Sequence, residues 1–387
     1  MRFPEFSGEW NKYTINDLAT VVGGGTPDTT VKSYWGGDIQ WFTPSEIGKN
    51  KYVDFSKRTI TRDGLDNSSA KLLPLHTILL SSRATVGECS IASNECTTNQ
   101  GFQSLIAKQC NIDFLYYLIQ TKKKDLIRNA CGSTFLEISA NEIRKIKVAV
   151  PVQNEQEQIA KLLSLIDERI ATQNKIIEDL KKLKSAISKY LFARKDLLET
   201  TICLSNIATL KNGYAFQSGK YNALGKWKIL TITNVPGERY INDEDCNCII
   251  NLPNDIQDHQ VLKEGDILIS LTGNVGRVSL CKAGDYLLNQ RVGLLQLAKN
   301  VDQEFLYQIL SSQRFENSMI ACGQGAAQMN IGKGDVENYV LPYSSNGNNI
   351  LFAAKILHSY DECIINELRR LTLLTMQKQY LLTQMFI

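Results

Sequence analysis

Side chains with the types and spacing needed for catalysis or metal binding are scarce in this chain of 387 residues. The three histidines, His76, His259 and His358, lie too far apart in sequence to form the short histidine motifs that bind zinc. There is no glycine-rich loop ending in Gly-Lys-Ser/Thr to hold a nucleotide phosphate, and no Gly-x-Ser-x-Gly turn. Because the eight prolines include no Pro-Pro pair, the Asn/Asp-Pro-Pro-aromatic motif of amino-methylating enzymes is also excluded. These absences favour a binding protein without catalytic residues or a metal site.

Several side chains in the first half of the chain are of the types that contact DNA. Lysine and arginine bind phosphates, and the amides of asparagine and glutamine pair with adenine. The candidates here are Lys32, Tyr34, Trp35, Arg83, Asn99, Gln100, Gln103, Lys122, Lys123, Lys124 and Arg128. Two alternatives stay open: Asn99 and Gln100 could instead cap a turn, and the basic run ending at Arg128 could be a solvated helix end.

A second set of candidate DNA-contacting residues lies in the other half of the chain. It consists of Tyr214, Phe216, Lys220, Asn274, Arg277, Asn289, Gln290 and Arg291. Tyr214 and Phe216 could instead belong to a hydrophobic core. Arg277 follows a turn and is the best single candidate for base recognition, because arginine commonly pairs with guanine.

Short strand-like runs and glycine-rich turns carry these candidates, and their order is repeated. In the first 150 residues the pattern predicts strands at 39–42, 78–82 and 146–150 and a helix at 112–122. Residues 200–342 repeat this plan at an offset of about 190 residues. The run ILLSSRATVG at 78–87 matches ILISLTGNVG at 267–276, and Asn99-Gln100 matches Asn289-Gln290. Such a duplication predicts two similar mixed α/β domains whose loops differ.

Each half ends in a long stretch with heptad spacing of apolar residues. Along 152–192 this seam consists of Ile159, Leu163, Ile166, Ile170, Ile177, Leu180, Ile187 and Leu191, interrupted by Gln173 and Lys184. A second seam along 348–385 is interrupted by Glu367 and Lys378. We expect the two helices to form an antiparallel coiled coil, although each could be a core helix of its own domain. The predicted fold class is α+β, with domains at 1–150 and 196–343 and long helices at 151–195 and 344–387.

Composition and charge are those of an ordinary globular protein, with 43% apolar and 21% charged residues. The net charge of +3 is too small to indicate nucleic-acid binding, so any DNA contact would rely on local patches or on a partner. No secretory signal and no apolar run of ~18–20 residues is present, which predicts no membrane contact. The ten cysteines lack a repeated Cys-x-x-Cys spacing and indicate reduced thiols in a cytoplasmic protein.

Several short motifs occur in order along the chain. They are Arg2-Phe3-Pro4-Glu5-Phe6, Gly24-Gly25-Thr26-Pro27, Tyr34-Trp35-Gly36-Gly37-Asp38-Ile39, Ser82-Arg83-Ala84-Thr85-Val86-Gly87, Thr98-Asn99-Gln100-Gly101-Phe102, and Val150-Pro151 followed by Glu155-Gln156 and Ile159. With the duplication, this order resembles the specificity (S) subunit of type I restriction-modification enzymes over nearly the whole chain. The resemblance implies two target-recognition domains, each reading one half of a bipartite sequence in double-stranded DNA, separated and followed by two antiparallel helices.

The resemblance also implies partners and cofactors outside this chain. Two methyltransferase (modification) subunits would dock on the helices, and restriction subunits would supply ATP-dependent translocation and cleavage. S-adenosylmethionine, ATP and Mg would then be bound by those partners and not by this chain. Glu155 and Gln156 are the candidate docking residues, because they lie off the seam in a polar first turn where no intramolecular packing role is expected. The second helix lacks this pair, which predicts a weaker or differently built second docking site.

Two other functions remain as alternatives. A coiled-coil scaffold with two protein-binding domains would show no DNA sequence preference, even with a methyltransferase partner present. A single-chain DNA-modifying enzyme would transfer methyl groups unaided, and the missing catalytic motifs disfavour it.

Overall fold

A computed structural model describes residues 2–132, 136–323 and 329–386 of the chain. The chain divides into two units, the first containing residues 1–174 and 370–387 and the second containing residues 175–369. Each unit combines one mixed α/β domain with a segment of each of two long helices. The sequence-based division into four segments treats these helices separately, and its boundaries stay predictions.

The domain of the first unit consists of short strands and five short helices in its described part. The strands are β1 (Asn11–Thr14), β2 (Ala19–Gly23), β3 (Trp35–Phe42), β4 (Tyr52–Val53), β5 (Arg58–Ile60), β6 (Ile78–Leu80), β7 (Cys89–Ala92), β8 (Cys96–Thr98), β9 (Gln103–Ala107) and β10 (Lys147–Val150). The helices are α1 (Ile15–Leu18), α2 (Arg62–Asp66), α3 (Ile112–Thr121), α4 (Lys123–Arg128) and α5 (Ala140–Lys145). The strands and the helix predicted from sequence are therefore confirmed to within a few residues.

Two sheets and a two-stranded ribbon build this domain. One sheet has the order β2-β9-β6-β7-β4, and the other has the order β5-β3-β8, in which β3 and β8 run parallel. Strand β6 is fully buried, as its uninterrupted apolar sequence predicts, because a central strand covered on both faces needs no polar alternation. Strand β10 pairs antiparallel with β1, so the last strand of the domain returns to its beginning immediately before the long helix.

The domain of the second unit follows the same plan. Its strands are β11 (Thr200–Cys203), β12 (Ala208–Asn212), β13 (Trp227–Leu230), β14 (Asn247–Ile249), β15 (Val261–Leu262), β16 (Ile267–Ser270), β17 (Val278–Leu280), β18 (Tyr286–Leu288), β19 (Val292–Leu297) and β20 (Val340–Tyr343). Apart from the long helices, the helices in its described part are α7 (Gln303–Leu310), α8 (Gln313–Cys322) and α9 (Lys333–Glu337).

Sheet topology confirms the duplication inferred from sequence. The order β12-β19-β16-β17 reproduces β2-β9-β6-β7, and the order β14-β13-β18 reproduces β5-β3-β8, again with one parallel pair. Strand β20 pairs with β11 as β10 pairs with β1. Outside this framework the described parts of the domains differ: α2 occurs only in the first, and β15 extends a sheet only in the second.

Both predicted long helices are present. Numbered here in chain order as α6 (Gln153–Ala193) and α10 (Gly347–Met385), they contain 41 and 39 residues and begin and end within one residue of the predicted stretches. At ~1.5 Å per residue each is about 60 Å long. The apolar seams bury their ends in the domains: Ile159 and Leu163 join the core of the first unit, and Ile350 and Leu357 join that of the second.

Candidate nucleic-acid interface

The parallel strands β3 and β8 place their following loops at one edge of the first domain. They end side by side at Phe42 and Thr98, and the amide of Asn99 donates to the carbonyl of Phe42 at 3.0 Å. The Asn99 side-chain Oδ1 accepts from the amide of Gly101 at 2.8 Å, so this residue caps the turn, as one of the two interpretations proposed. Gln100 is exposed at the tip of the turn and accepts a hydrogen bond from the Thr26 hydroxyl.

Arg83 lies beside this turn, because the amide of the preceding Ser82 donates to the carbonyl of Gly101 at 2.8 Å. The Arg83 side chain is 46% exposed, with its Nε 3.8 Å from Glu137 Oε2. Gln103 belongs to the same strand-and-turn segment but is half-buried, and its Oε1 has no hydrogen-bond partner among the described residues. Gln100 and Arg83 are thus the predicted residues of this group whose polar atoms face solvent.

The second domain repeats this loop group with the same Asn-Gln pair but with an arginine at the next position. Strands β13 and β18 end together at Leu230 and Leu288, and the amide of Asn289 donates to the Leu230 carbonyl at 3.2 Å. Asn289 is buried and its Oδ1 accepts from the amide of Arg291 at 3.2 Å, which repeats the turn cap of the first domain. Gln290 and Arg291 are exposed, and the side chain of Arg291 has no ion pair within the described part of the chain.

Tyr214 is attached to this second turn, because the amide of Gln290 donates to the Tyr214 carbonyl at 3.0 Å. Its hydroxyl donates to Asp255 Oδ1 at 2.8 Å, and its ring lies 4.8 Å from that of Phe216. Phe216 also packs against a buried cluster of the sheet, so the expectation of a core role holds in part. Both rings border an open cavity of about 440 Å³, which the exposed Lys220 also lines.

Arg277 forms an ion pair whose counterpart in the first domain has the two charges exchanged. Its Nε lies 3.5 Å from Glu316 Oε1 on α8. The corresponding position in the first domain is Glu88, which pairs with Lys123 on α4. The same turn-to-helix contact is therefore made with opposite charges in the two domains, which supports a structural role for Arg277. Asn274, three residues earlier, is exposed on the turn.

The aromatic candidates at the start of β3 lie at the opposite end of that strand from the turn. The Trp35 ring packs edge-on against Trp41, with centroids 5.0 Å apart, and its Nε1 donates to the Asp28 carbonyl. The guanidinium of Arg58 lies 3.6 Å from the Trp35 ring centroid and covers that face. Lys32 is exposed and Tyr34 is half-buried. Arg58, which sequence analysis missed, is thus a second exposed cation at this site beside Lys32.

The predicted basic cluster at the end of α3 belongs to a different surface. Lys123 pairs with Glu88, while Lys122 and Arg128 lie 4.0 and 3.5 Å from Asp125. Lys122, Lys123 and Lys124 line a cleft of about 1300 Å³ that is also bordered by residues of α6 and α10 in the first unit. Three of these four basic side chains are therefore partly neutralised by neighbouring carboxylates, and Lys124 is exposed.

The expectation that Glu155 and Gln156 have no intramolecular role is wrong. Glu155 is fully buried and accepts from Arg2 Nε and Nη2 at 2.6 and 2.7 Å. Gln156 is also buried, accepts from the amide of Asn111 and donates to the carbonyl of Pro151, both at 3.0 Å. The sequence of this helical turn gave no sign of the contacts with Arg2 and Asn111, because these partners lie 153 and 45 residues away.

The duplicated framework also matches a family model. The model of the type I restriction modification DNA specificity domain matches this chain twice, over residues 7–182 and 199–375. The chain belongs to this family.

Individual relatives of the specificity family agree with this assignment. The type I restriction enzyme MjaIX specificity subunit of Methanocaldococcus jannaschii is 38% identical over 192 residues, which cover 48% of this chain and 44% of that protein. The type I restriction enzyme EcoR124I/EcoR124II specificity subunit of Escherichia coli is 28% identical over 206 residues, covering 51% of this chain and 50% of that protein. The chain thus spans about half the length of the curated relatives it matches.

Solved structures of the family share the fold. A crystal structure of a type I restriction-modification system S subunit from M. genitalium has a TM-score of 0.58, 18% identity, and covers 100% of this chain and 99% of that one. A structure reported for complex assembly and conformational transition of the type I R-M system has a TM-score of 0.60, 13% identity and 98% coverage of both chains. At these identities the likeness shows the fold alone.

The structure also bears on metal binding and on membrane insertion. Among the described residues, no group of three or more His, Cys, Asp or Glu side chains is placed to hold a metal ion. The helices found in the described part of the chain are all too short or too polar to cross a membrane.

Proposed function

We propose that this chain is the DNA-specificity subunit of a type I restriction-modification complex, with each domain reading one half of a bipartite DNA site. The observation that carries the proposal is the duplicated loop group at the ends of the parallel strand pairs. The backbone of this group is the same in both domains and Gln100 is equivalent to Gln290, but the exposed arginine lies at a different position in each domain. Arg83 aligns with Thr272, whereas Arg291 aligns with Gly101. A shared turn that carries its exposed arginine at a different position in each domain suits two different half-sites.

The long helices would act as an antiparallel coiled coil that separates the two domains. In the first unit Lys378 of α10 lies 2.7 Å from Asp167 of α6, and in the second Lys184 of α6 lies 2.6 Å from Asp361 of α10. From the first ion pair to the second, the residue number in α6 rises from 167 to 184, while that in α10 falls from 378 to 361. The two steps are equal in length. These contacts support antiparallel pairing in one register.

The chemistry of the complex would belong to its partners. Two methyltransferase subunits would dock on this chain and bind S-adenosylmethionine, and restriction subunits would bind ATP and Mg. This chain would have no catalytic role. Because Glu155 and Gln156 are buried, any effect of these residues on docking would be exerted through the fold of the first domain.

The test is to map methylated adenines across the genome of cells that express this chain with its methyltransferase partner. We expect one motif made of two short specified sequences around an unspecified spacer. Binding of the purified complex to duplexes with one half-site scrambled at a time then assigns each half to a domain. A single uninterrupted motif, or methylation without sequence preference, would contradict the proposal and favour the scaffold alternative.

A further inference from the structure

A largely buried group of charged residues joins the second domain to both long helices. Arg239 lies in the loop between β13 and β14, its side chain is 8% exposed, and it donates to both carboxylate oxygens of Glu304 on α7, at 2.9 and 2.6 Å. It also donates to Asp361 of α10 at 2.9 Å. Lys184 of α6 donates to the same aspartate at 2.6 Å, and Gln308 of α7 donates to both acids. We call these five residues the second charge cluster.

The first unit contains a matching group. Lys51, in the loop before β4, is 9% exposed and lies 2.7 Å from Asp113 Oδ1 at the start of α3. Its Nζ also donates to the Ser164 hydroxyl of α6 at 2.6 Å. Tyr117 of α3 donates to Asp167 of α6 at 2.6 Å, and Lys378 of α10 pairs with the same aspartate. Lys51, Asp113, Tyr117, Asp167 and Lys378 form the first charge cluster.

The two clusters occupy equivalent positions of the duplication. Lys51 precedes Tyr52 as Arg239 precedes Tyr240, and their carbonyls accept from the amides of Ile91 on β7 and Leu280 on β17. The remaining pairs are Asp113 with Glu304, Tyr117 with Gln308, Asp167 with Asp361, and Lys378 with Lys184. Each cluster therefore contains one ion pair between a loop and a domain helix and one between α6 and α10, and in the second cluster Arg239 also pairs with Asp361 of α10.

Stability alone gives little reason for ion clusters at these positions. Removing charges from water incurs a desolvation penalty, and well-packed apolar side chains often stabilise a buried site equally well. What an ion cluster adds is geometry, because each hydrogen bond is satisfied in only one arrangement of its partners. Here the partners are the domain on one side and the helix pair on the other.

We propose that the two charge clusters are positioning devices that hold each recognition domain in one orientation on the helices and so restrict the accepted spacer length. This inference rests on the proposed function. The side chains touch no reacting group, and they act by fixing the domain that carries the loop group. A domain free to tilt would reach half-sites at several separations, whereas a fixed domain reaches one.

The second cluster should hold its domain more firmly than the first. Arg239 bonds both oxygens of Glu304 and also reaches Asp361, so one planar guanidinium ties three elements together. The ammonium of Lys51 makes one contact with a carboxylate and one with a hydroxyl. We therefore expect variants of the second cluster to change spacer selection more than those of the first.

The variants that test this remove both partners of the ion pair between loop and domain helix and leave the pair between α6 and α10 in place. In the second cluster the contact of Arg239 with Asp361 is removed as well. Arg239→Met with Glu304→Gln keeps Lys184 paired with Asp361, and Lys51→Met with Asp113→Asn keeps Lys378 paired with Asp167. Neither double substitution leaves a buried charge without a partner, so neither should destabilise the fold in that way. The control is Lys182→Met with Glu178→Gln, which removes an ion pair between two exposed residues of α6.

Each full-length variant, assembled with its methyltransferase partner, is offered a library of duplexes that carry both half-sites at every spacer length. For Arg239→Met with Glu304→Gln we expect the preference for the best spacer over its neighbours to fall roughly tenfold, within the range of coupling between contacting side chains. The base preference within each half-site should be unchanged, and the control should behave as the unaltered protein.

Hydrogen exchange of the loop around Arg239 provides a readout independent of DNA. Faster exchange there with wider spacer acceptance supports the inference. Faster exchange with unchanged spacer selection would overturn it, because the cluster would then serve stability alone. If the unaltered complex shows no sequence preference at all, the proposed function fails, and this inference fails with it.

Discussion

At the scale of single residues, Glu155 and Gln156 are buried and hydrogen-bonded within the chain, although the sequence predicted that they form a docking surface. Gln156 accepts from the Asn111 amide, which precedes α3, and donates to the carbonyl of Pro151, which precedes α6. It thereby connects the beginnings of two helices in the first unit. Glu155 beside it holds Arg2 and receives a third hydrogen bond from Trp10 Nε1 at 3.3 Å. Both residues fasten the N-terminal segment and α3 to the long helix.

We expect Gln156→Ala to lower the free energy of unfolding of the first unit by about 1–3 kcal/mol, because a buried amide and a buried carbonyl lose their partner. Urea denaturation followed by circular dichroism measures this change. Glu157→Ala is the matched control, since that neighbour is exposed in the same helical turn and should leave stability nearly unaltered. An equal, small effect of both substitutions would contradict the structural role of Gln156.

Arginine side chains of the second domain should differ in their effect on DNA. Arg291 is exposed in the loop group, whereas Arg277 is paired with Glu316. We expect Arg291→Ala to weaken recognition of one half-site by roughly 1–3 kcal/mol, the usual contribution of a bidentate base contact. Arg277→Ala should cost less in binding, although sequence alone made it the better candidate. Binding to duplexes with each half scrambled in turn distinguishes the two, and a larger loss for Arg277→Ala would reverse this assignment.

At the scale of elements, one acidic side chain connects strands of the second domain. Asp243 receives hydrogen bonds from Lys228 of β13 at 2.7 Å, Lys282 at 3.0 Å and Tyr286 of β18 at 3.0 Å. The hydrogen bond from Lys228 is the main reason that the pKa of this carboxyl lies well below its usual range. The ionised form is therefore favoured by folding.

A carboxyl with a lowered pKa stabilises the folded state above its unfolded pKa of about 3.9, and this contribution is lost as the pH falls towards the folded pKa. We expect the second unit to lose stability below about pH 4, and Asp243→Asn to be less stable at pH 7 with a smaller further loss in acid. Urea midpoints of both proteins at pH 7 and pH 3 provide the measurement. Parallel losses in the two proteins would show that Asp243 does not contribute.

The long helices should determine the spacer between the half-sites. Adding one heptad to each helix, after Asp179 in α6 and near Glu367 in α10, keeps the apolar seam in register. The pair becomes ~10 Å longer, and since DNA rises 3.4 Å per step, the preferred spacer should grow by roughly three base pairs. Some affinity should be lost, because the added steps also rotate one half-site about the DNA axis.

Mapping of methylated adenines in cells that carry the lengthened chain tests this expectation, with both half-sites expected to be unchanged. The control adds only two residues to each helix, which breaks the heptad register and should abolish assembly. An active variant with the original spacer would show that the separation of the domains has another origin.

At the scale of the whole molecule, seven of the ten cysteines are either exposed or buried, and three are intermediate. Cys131, Cys322 and Cys363 are exposed. Cys89, Cys96, Cys110 and Cys281 are buried, and burial raises the pKa of each of these thiols to about 12. Because the thiolate is the reactive form, these four should be nearly inert near neutral pH.

We expect a maleimide at pH 7.5 to label the three exposed cysteines of the folded chain quickly and the four buried ones only after unfolding. Mass spectrometry of the labelled peptides identifies each site, and labelling in denaturant, where all ten should react, serves as the control. Rapid labelling of Cys281 in the native chain would contradict the packing of the second domain.

The sequence by itself determined the architecture of this protein. Local periodicity places α6 and α10 to within one residue, the uninterrupted apolar run of β6 predicts a buried strand, and the duplicated motifs predict two domains with one topology. These features follow from patterns of neighbouring residues, because backbone hydrogen bonding and side-chain periodicity are local properties of a chain.

Only the tertiary structure decided which polar side chains are accessible for contacts with DNA or a partner protein. The sequence predicted Glu155 as a docking residue, whereas in the structure it is bonded to Arg2, 153 residues away in sequence. Arg239 carried no signal at all, and its partner Asp361 is 122 residues distant. Burial, ion pairing and turn capping depend on atoms brought together by folding, and one sequence does not reveal which distant partner a polar residue will meet.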